Sequence, residues 1–163
     1  MLLVASPGEA QVAPTGAAVD QTVRGPFNLL IFPTSLVPHA SGTARLVYAE
    51  SPFGIATNED GHAVYDMRIT LAGLPLPAKL GHYTTYVAWA ASPDLSQWVR
   101  LGTVHNGVNT VGSVDMNKFL LVLSVEATET GTQPAGPTVL HGTSPSGYIQ
   151  SFLSHPLFKN VPQ

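Results

Sequence analysis

The chain has 163 residues, of which 44% are hydrophobic and only 10% are charged, and this composition suits one soluble domain with a sizeable core. Its net charge of -3 and its seven Lys and Arg residues exclude the basic stripe that binds a nucleic-acid backbone. No cysteine is present, which excludes disulfides and cysteine nucleophiles, and no apolar run approaches the roughly 18 residues of a membrane span.

Residues 1–43 are rich in Ala, Pro and Gly, and no helical or strand period continues through their prolines. The sequence therefore predicts an extended N-terminal arm. A free arm of this composition is disordered, so we expect one apolar stretch to anchor it. The apolar residues of that stretch are Phe27, Leu29, Leu30, Ile31 and Phe32.

Residues 44–142 are typical of β-strands. Apolar and polar side chains alternate clearly over residues 63–73, as in a strand with one buried face. His105, Asn106 and Gly107 are residues that a tight hairpin requires. Strand patterns recur at short intervals with no strong helical pattern between them. They predict an all-β domain, an antiparallel immunoglobulin-like β-sandwich over residues 44–142.

Residues 143–163 form a third region, in which apolar residues recur at spacings of three and four. This spacing predicts a short amphipathic helix that ends at Pro156, followed by a second apolar hook. The apolar residues of this C-terminal tail are Tyr148, Ile149, Phe152, Leu153, Leu157 and Phe158.

Several motifs follow one another through the strand-rich region. A Tyr-rich strand ends in Trp at 86–89, and Leu-Gly-Thr-Val at 101–104 precedes an Asn-Gly hairpin. Ser-Val-Glu at 124–126 then precedes Pro-Ala-Gly-Pro-Thr-Val-Leu-His-Gly at 134–142. This order resembles the C-terminal extracytoplasmic domain of anti-sigma-K factors, over about residues 44–142. The resemblance implies a β-sandwich and a location outside the cytoplasmic membrane. It implies no anti-sigma activity, since neither a sigma-binding domain nor a transmembrane helix is recognisable in the sequence.

The histidines are the first candidates for site chemistry. None of them forms the H-x-H or i, i+4 pair that is usual for metal ligands. His82, His105 and His141 lie at predicted strand ends and could converge, or they could be ordinary loop histidines. We predict that the chain holds no metal and no cofactor.

Catalytic motifs are not evident either. The segment HGTSPSG at 141–147 does not match the G-x-S-x-G motif of serine hydrolases. Glu126 and Glu129 could be read as a glycosidase pair, but near a strand end they are expected to keep a sheet edge soluble. The sequence therefore predicts that the protein is not an enzyme.

The two tryptophans are expected to differ. Trp89 lies on the apolar face of its strand, which predicts a place in the core. Trp98 follows a polar turn at a strand start, where three interpretations stay open: a core residue, an anchor for a protein partner, or a platform for a sugar ring.

The apolar residues of the two terminal regions either fold back on the domain or dock on another subunit. The low charge of the chain favours docking. The predicted partner-binding residues are Phe27, Leu29, Leu30, Ile31, Phe32, Trp98, Phe152, Leu153, Leu157 and Phe158.

The sequence thus predicts a non-enzymatic accessory or structural subunit. We expect it to dock through its terminal arms on protein subunits of a larger, membrane-embedded complex of the respiratory or photosynthetic type. It would be peripheral to the membrane, at a periplasmic or extracytoplasmic surface, although no signal peptide is recognisable in this numbering. The alternative is an extracytoplasmic sensor domain that binds a ligand or a metal, and an uncharacterised hydrolase is a third interpretation.

Overall fold

The structure is a computed structural model that describes residues 27–52 and 54–145. Its strands are β1 (Asn28–Pro33), β2 (Ser41–Tyr48), β3 (Glu50–Ser51), β4 (Gly54–Ile55), β5 (Tyr65–Ala72), β6 (Thr85–Ala91), β7 (Trp98–Val104), β8 (Gly107–Val114), β9 (Leu120–Glu126) and β10 (Thr138–Thr143). A 3-10 turn, Pro77–Lys79, precedes β6.

Eight of these strands form one antiparallel sheet in the order β7-β6-β9-β10-β1-β2-β5-β8, while β3 and β4 pair separately as a small hairpin. The two end strands, β7 and β8, are consecutive in the chain and are joined by the turn at His105 and Asn106. The sheet is therefore curled until its ends meet, as a nearly closed barrel. Gly112 permits this approach, because a Cβ there would lie 3.0 Å from the carbonyl oxygen of Leu101 on β7.

Alternating residues of each strand fill the interior of the barrel. On β5, Met67, Ile69 and Leu71 are fully buried, and the residues between them face solvent. Each such side chain contributes about 1.5–3 kcal/mol through its removal from water. The matching interior residues of the other strands include Leu29, Ile31, Ala44, Leu46, Tyr86, Ala88, Ala90, Leu121, Leu123, Val125 and Leu140.

The structure confirms the prediction of an antiparallel all-β fold. It does not confirm the immunoglobulin-like sandwich, because the eight strands are hydrogen-bonded into one continuous sheet instead of two facing sheets. Both architectures present one apolar face per strand, so strand periodicity alone does not separate them.

β1 corrects the prediction for part of the arm. The sequence predicts an extended arm up to residue 43, but Asn28–Pro33 lies inside the sheet, between β10 and β2. Pro33 is the last residue of the strand, where its missing N–H does not interrupt the ladder. β2 also begins earlier than predicted, at Ser41. Residues 1–26 of the predicted arm and the predicted C-terminal helix lie outside the described residues.

Candidate interaction surface

The outer surface of the barrel has a polar half and an apolar half. Over β2 and β5 the outward side chains are mostly polar, with Val47 as an exposed exception, and they include the cross-strand pairs Thr43–Thr70 and Arg45–Arg68. Over β6, β9, β10 and β1 the outward residues form a different row. Their cross-strand pairing places Trp89, Val122, His141 and Phe32 side by side in that order.

A second row runs beside the first. It contains Trp98 on β7, Ala91 on β6, Leu120 on β9 and Thr143 on β10, each paired with the next. Leu30 continues the row on β1, because the next residue, Ile31, pairs with Gly142. The two rows together make what we call the outer apolar face: Leu30, Phe32, Trp89, Trp98, Leu120, Val122 and His141.

Part of this face is covered by the loop of residues 127–137, between β9 and β10. Trp89 is only 2% exposed although it points away from the barrel interior. A Cβ at Gly131 would lie 3.7 Å from the Cη2 atom of Trp89, which places the loop against the indole ring. Trp89 forms a second hydrophobic cluster with Val87 and Val122, separate from the barrel core.

Glu126 fastens this loop to the sheet. Its carboxylate accepts hydrogen bonds from the backbone N–H of Gly136 at 3.0 Å and of Ala135 at 3.2 and 3.3 Å. It also accepts a short hydrogen bond from the hydroxyl of Ser124, whose oxygen accepts the indole N–H of Trp89 at 2.9 Å. Donors on three residues thus replace the water lost by a carboxylate that is 5% exposed. The expectation that Glu126 lies on a solvated sheet edge is wrong.

The rest of the face is open among the described residues. Phe32 is 53% exposed, and its ring centroid lies 6.3 Å from that of His141, which is also exposed. Leu30 and Leu120 are half-buried. We call these four residues the open half of the outer apolar face. It is apolar apart from one imidazole, and it lies next to a half that the chain covers with its own loop.

A rigid turn lies beside the face, between β6 and β7. The half-buried Trp98 donates its indole N–H to the carbonyl oxygen of Leu95 at 3.1 Å. Leu95 is 52% exposed and has a φ of 60°, a conformation that a branched side chain seldom adopts. Hydrogen bonds from Ser92 and Ser96 hold the pKa of the Asp94 carboxyl below its usual value. The turn therefore presents Leu95 and Trp98 in a preorganised arrangement.

The predicted contact residues are not all on this surface. Leu30, Phe32 and Trp98 are, but Leu29 and Ile31 are buried in the barrel interior, so the prediction that these two bind a partner is wrong. Phe27 packs near the rings of Tyr48 and Tyr65, with centroids at 5.4 and 6.2 Å. The predicted contacts Phe152, Leu153, Leu157 and Phe158 lie outside the described residues.

Sequence reasoning missed Leu120, Val122 and His141. The sequence does contain a signal for Leu120 and Val122, because the strand around 119–126 is apolar on both of its faces. A strand with two apolar faces needs cover on both sides. His141 is placed by strand pairing across the sheet, which no local pattern shows.

The strand-end histidines do not form a metal site. Across residues 27–52 and 54–145, no group of three or more His, Asp or Glu side chains is arranged to hold an ion. His105 lies at the β7–β8 turn and His141 lies on the outer apolar face, so they are on different parts of the barrel.

A shallow pocket of about 330 Å³ lies at one end of the barrel, between the 74–77 loop and the β7–β8 turn. Asn106 exchanges two hydrogen bonds with the backbone of Leu74, at 2.8 and 2.9 Å. The hydroxyl of Tyr86 donates to the carbonyl oxygen of Pro75 at 3.0 Å, and burial raises the pKa of this phenol. His105 and Glu129 add two titratable groups to the lining.

Within the part of the chain that the structure describes, no helix has the length and apolarity to span a bilayer. Comparisons with known proteins found no matching family model, no matching curated protein and no matching solved structure.

Proposed function

We propose that this protein is a non-enzymatic accessory or structural subunit that docks on a larger protein complex through its outer apolar face. The observation that carries the proposal is the open half of that face, centred on Phe32, which is 53% exposed in a cross-strand row with buried Val122. Contiguous exposed apolar surface next to aromatic anchors is typical of protein contact sites.

Burial of the open half would release enough free energy to hold a partner protein. Covering the exposed part of one Phe ring removes on the order of 100 Å² of apolar surface, which is worth about 2–3 kcal/mol. Trp98 and Leu95 lie at the opposite edge of the outer apolar face from Phe32, in a turn that is held by hydrogen bonds, so little side-chain order is lost if a partner also covers them. Val47 and Tyr48 on the opposite half are also exposed, but Val47 pairs with Asp66 and lies beside Arg45 and Arg68, so the apolar surface there is interrupted by charge.

The resemblance of residues 44–142 to the extracytoplasmic domain of anti-sigma-K factors supports a location outside the cytoplasmic membrane. On this basis the host is a membrane-embedded complex, of the respiratory or photosynthetic type, and the subunit is peripheral to the membrane. On this proposal, the N-terminal segment that precedes Phe27 adds contacts to the same docking site.

Co-purification after gentle extraction of native membranes tests this proposal. The full-length protein should elute in constant stoichiometry with the subunits of one membrane complex. Phe32→Ser should release it, whereas Val47→Ser, at a residue that is 47% exposed on the polar half of the barrel, should not. Elution of the unmodified protein alone as a soluble monomer would refute the proposal.

The pocket beside Asn106 favours a second candidate function, an extracytoplasmic domain that senses a small-molecule ligand. Its volume of about 330 Å³ admits a small molecule, and Tyr86, His105 and Glu129 supply polar contacts. A ligand that raises the melting temperature of the unmodified protein but not of His105→Ala would support it.

A further inference from the structure

We propose that the C-terminal tail of the same chain, residues 148–158, lies on the open half of the outer apolar face when no partner is bound. The tail then shields Leu30, Phe32 and Leu120 from water. A partner that uses this face must displace the tail. The displacement rests on the proposed function, whereas the contact between the tail and the face does not.

The point where the chain leaves the described residues supports this contact. Ser144 is anchored next to the face, because its N–H donates to the carbonyl oxygen of Phe119 at 2.9 Å and its hydroxyl oxygen accepts the Phe119 N–H at 3.0 Å. The preceding residue, Thr143, pairs with Leu120. Whatever follows Pro145 therefore starts at the margin of the open half.

The sequence of the tail matches an apolar surface. From 146 to 158 it contains no Asp, Glu, Lys or Arg. Tyr148, Ile149, Phe152 and Leu153 recur at the spacing of one helix face, so one or two helical turns would present them together. Ser-Pro-Ser-Gly at 144–147 has the composition of a turn, which allows the chain to reverse over β10.

The size of the open half also suits a helical tail. Leu120, Thr143 and Leu30 lie on three adjacent strands, which spans about 10 Å at the usual strand spacing. A helix is about 10 Å wide, and the seven residue steps from Pro145 to Phe152 rise about 10 Å even when fully helical. By the register of β1 and β10, Phe32 lies about 13 Å along the strand from the level of Pro145, which a helical tail and the length of the Phe152 side chain together can span.

The N-terminal residues 1–26 are a poorer occupant of the same face. They join the barrel at Phe27, near the same end of the sheet, because β1 runs antiparallel to β10. However, they contain Glu9, Asp20 and Arg24, and their apolar residues follow no regular spacing. Burying those charges on an apolar surface is unfavourable, which leaves the C-terminal tail as the better match.

Engineered cysteines test the contact directly, because the natural chain has none. The full-length Phe32→Cys/Phe152→Cys protein, studied alone, should form an intramolecular disulfide on mild oxidation. The matched control is Val47→Cys/Phe152→Cys, since Val47 is similarly exposed and lies within a comparable distance of Pro145, on the polar half. We expect the first pair to close at least about tenfold faster, because docking raises its effective concentration.

Two outcomes would overturn the inference. Equal closure rates in the two pairs would show that the tail has no preference for the apolar face. A disulfide-linked dimer as the main product of the first pair would show that a second copy of the chain occupies the face. A further readout is the reaction of the thiol of a single-cysteine Phe32→Cys variant with a maleimide, which deletion of residues 146–163 should speed, whereas an unchanged rate in a folded protein would count against tail docking.

These results are separate from the test of the proposed function. Closure of the disulfide without any co-purifying complex would leave the tail contact standing and refute the accessory-subunit proposal. Co-purification with a complex, without formation of the disulfide, would support the accessory-subunit proposal and refute the tail contact. If both hold, deletion of residues 146–163 should strengthen binding of the partner, because the partner no longer competes with the tail.

Discussion

Replacing Glu126 by Gln should destabilise the protein and release the 127–137 loop. One carboxylate oxygen accepts from the hydroxyl of Ser124, the other accepts from the N–H of Gly136, and both share the N–H of Ala135. Gln keeps a single oxygen and turns an NH₂ group toward one of these donors, so at least one buried donor loses its acceptor. A buried hydrogen bond to a charged group is worth about 1.5–3 kcal/mol, and we expect a loss of about 2 kcal/mol.

Glu126→Ala should cost more, about 3–4 kcal/mol, because it removes all the acceptors and leaves space beneath the loop. Urea unfolding measures both values as shifts in the midpoint at constant slope. Glu129→Gln is the matched control, since Glu129 lies on the same loop and is exposed, and its effect should stay within about 0.5 kcal/mol.

Fluorescence gives an independent check. The loop covers Trp89, whose indole N–H is bonded to Ser124, so release of the loop should make Trp89 accessible to acrylamide and shift its emission to longer wavelength. The reasoning would be refuted if Glu126→Gln were as stable as the unmodified protein and Trp89 remained equally shielded. That result would mean that packing of the loop, and not the carboxylate, holds it in place.

Three further predictions concern other positions. Gly136→Ala should destabilise the protein by several kcal/mol in urea unfolding, because its Cβ would collide with the carbonyl oxygen of Val125, while an unchanged midpoint would contradict this contact. Leu95→Asn should raise the free energy of unfolding by about 0.5–1 kcal/mol, because Asn tolerates a φ of 60° better than Leu, and it should weaken partner binding if Leu95 is a contact. Tyr65 and Tyr86 have pKa values raised above 10.0, chiefly by burial, so their folded-state stabilisation is complete below pH 10 and is lost as pH rises through the folded-state values. Absorbance at alkaline pH should show a late phase that Tyr86→Phe reduces.

Much of the sheet follows from local pattern. The alternation over 63–73 places Met67, Ile69 and Leu71 in the interior, as the structure confirms. Gly107, in the predicted hairpin turn, has a φ of 104°, a conformation that favours glycine. These features depend on neighbours in sequence, so a single sequence is sufficient to predict them.

The position of β1 could not be obtained in this way. Proline at 26 and 33 argues against a strand in a local reading, yet Pro33 ends the strand and therefore removes no interior hydrogen bond. The neighbours of β1 are β10 and β2, and β10 lies more than a hundred residues away in sequence. The choice of partner strand depends on long-range packing, which one sequence without homologues does not report.

The contacts of Glu126 also depend on long-range packing that a single sequence does not reveal. The sequence Val-Glu-Ala-Thr at 125–128 reads as a strand end, where a carboxylate usually meets water. The partners of the carboxylate are backbone N–H groups of Ala135 and Gly136, which any residue except proline can provide. Backbone donors leave no signature in the sequence, so the buried state of Glu126 could be recognised only after the loop was placed.

The two halves of the outer apolar face are joined by one row of neighbouring side chains, and we expect this to have a consequence for docking. The Glu126 carboxylate positions Ser124, Ser124 orients the Trp89 indole, and Trp89 lies next to Val122 in the row that ends at Phe32. We therefore expect a change at Glu126 to be transmitted along this row to the open half. If the face is the docking site, Glu126→Gln should weaken partner binding although Glu126 is 5% exposed and makes no contact with the partner. Equal partner binding by a folded but destabilised Glu126→Gln protein would show instead that Phe32 and Leu30 dock independently of the covered half.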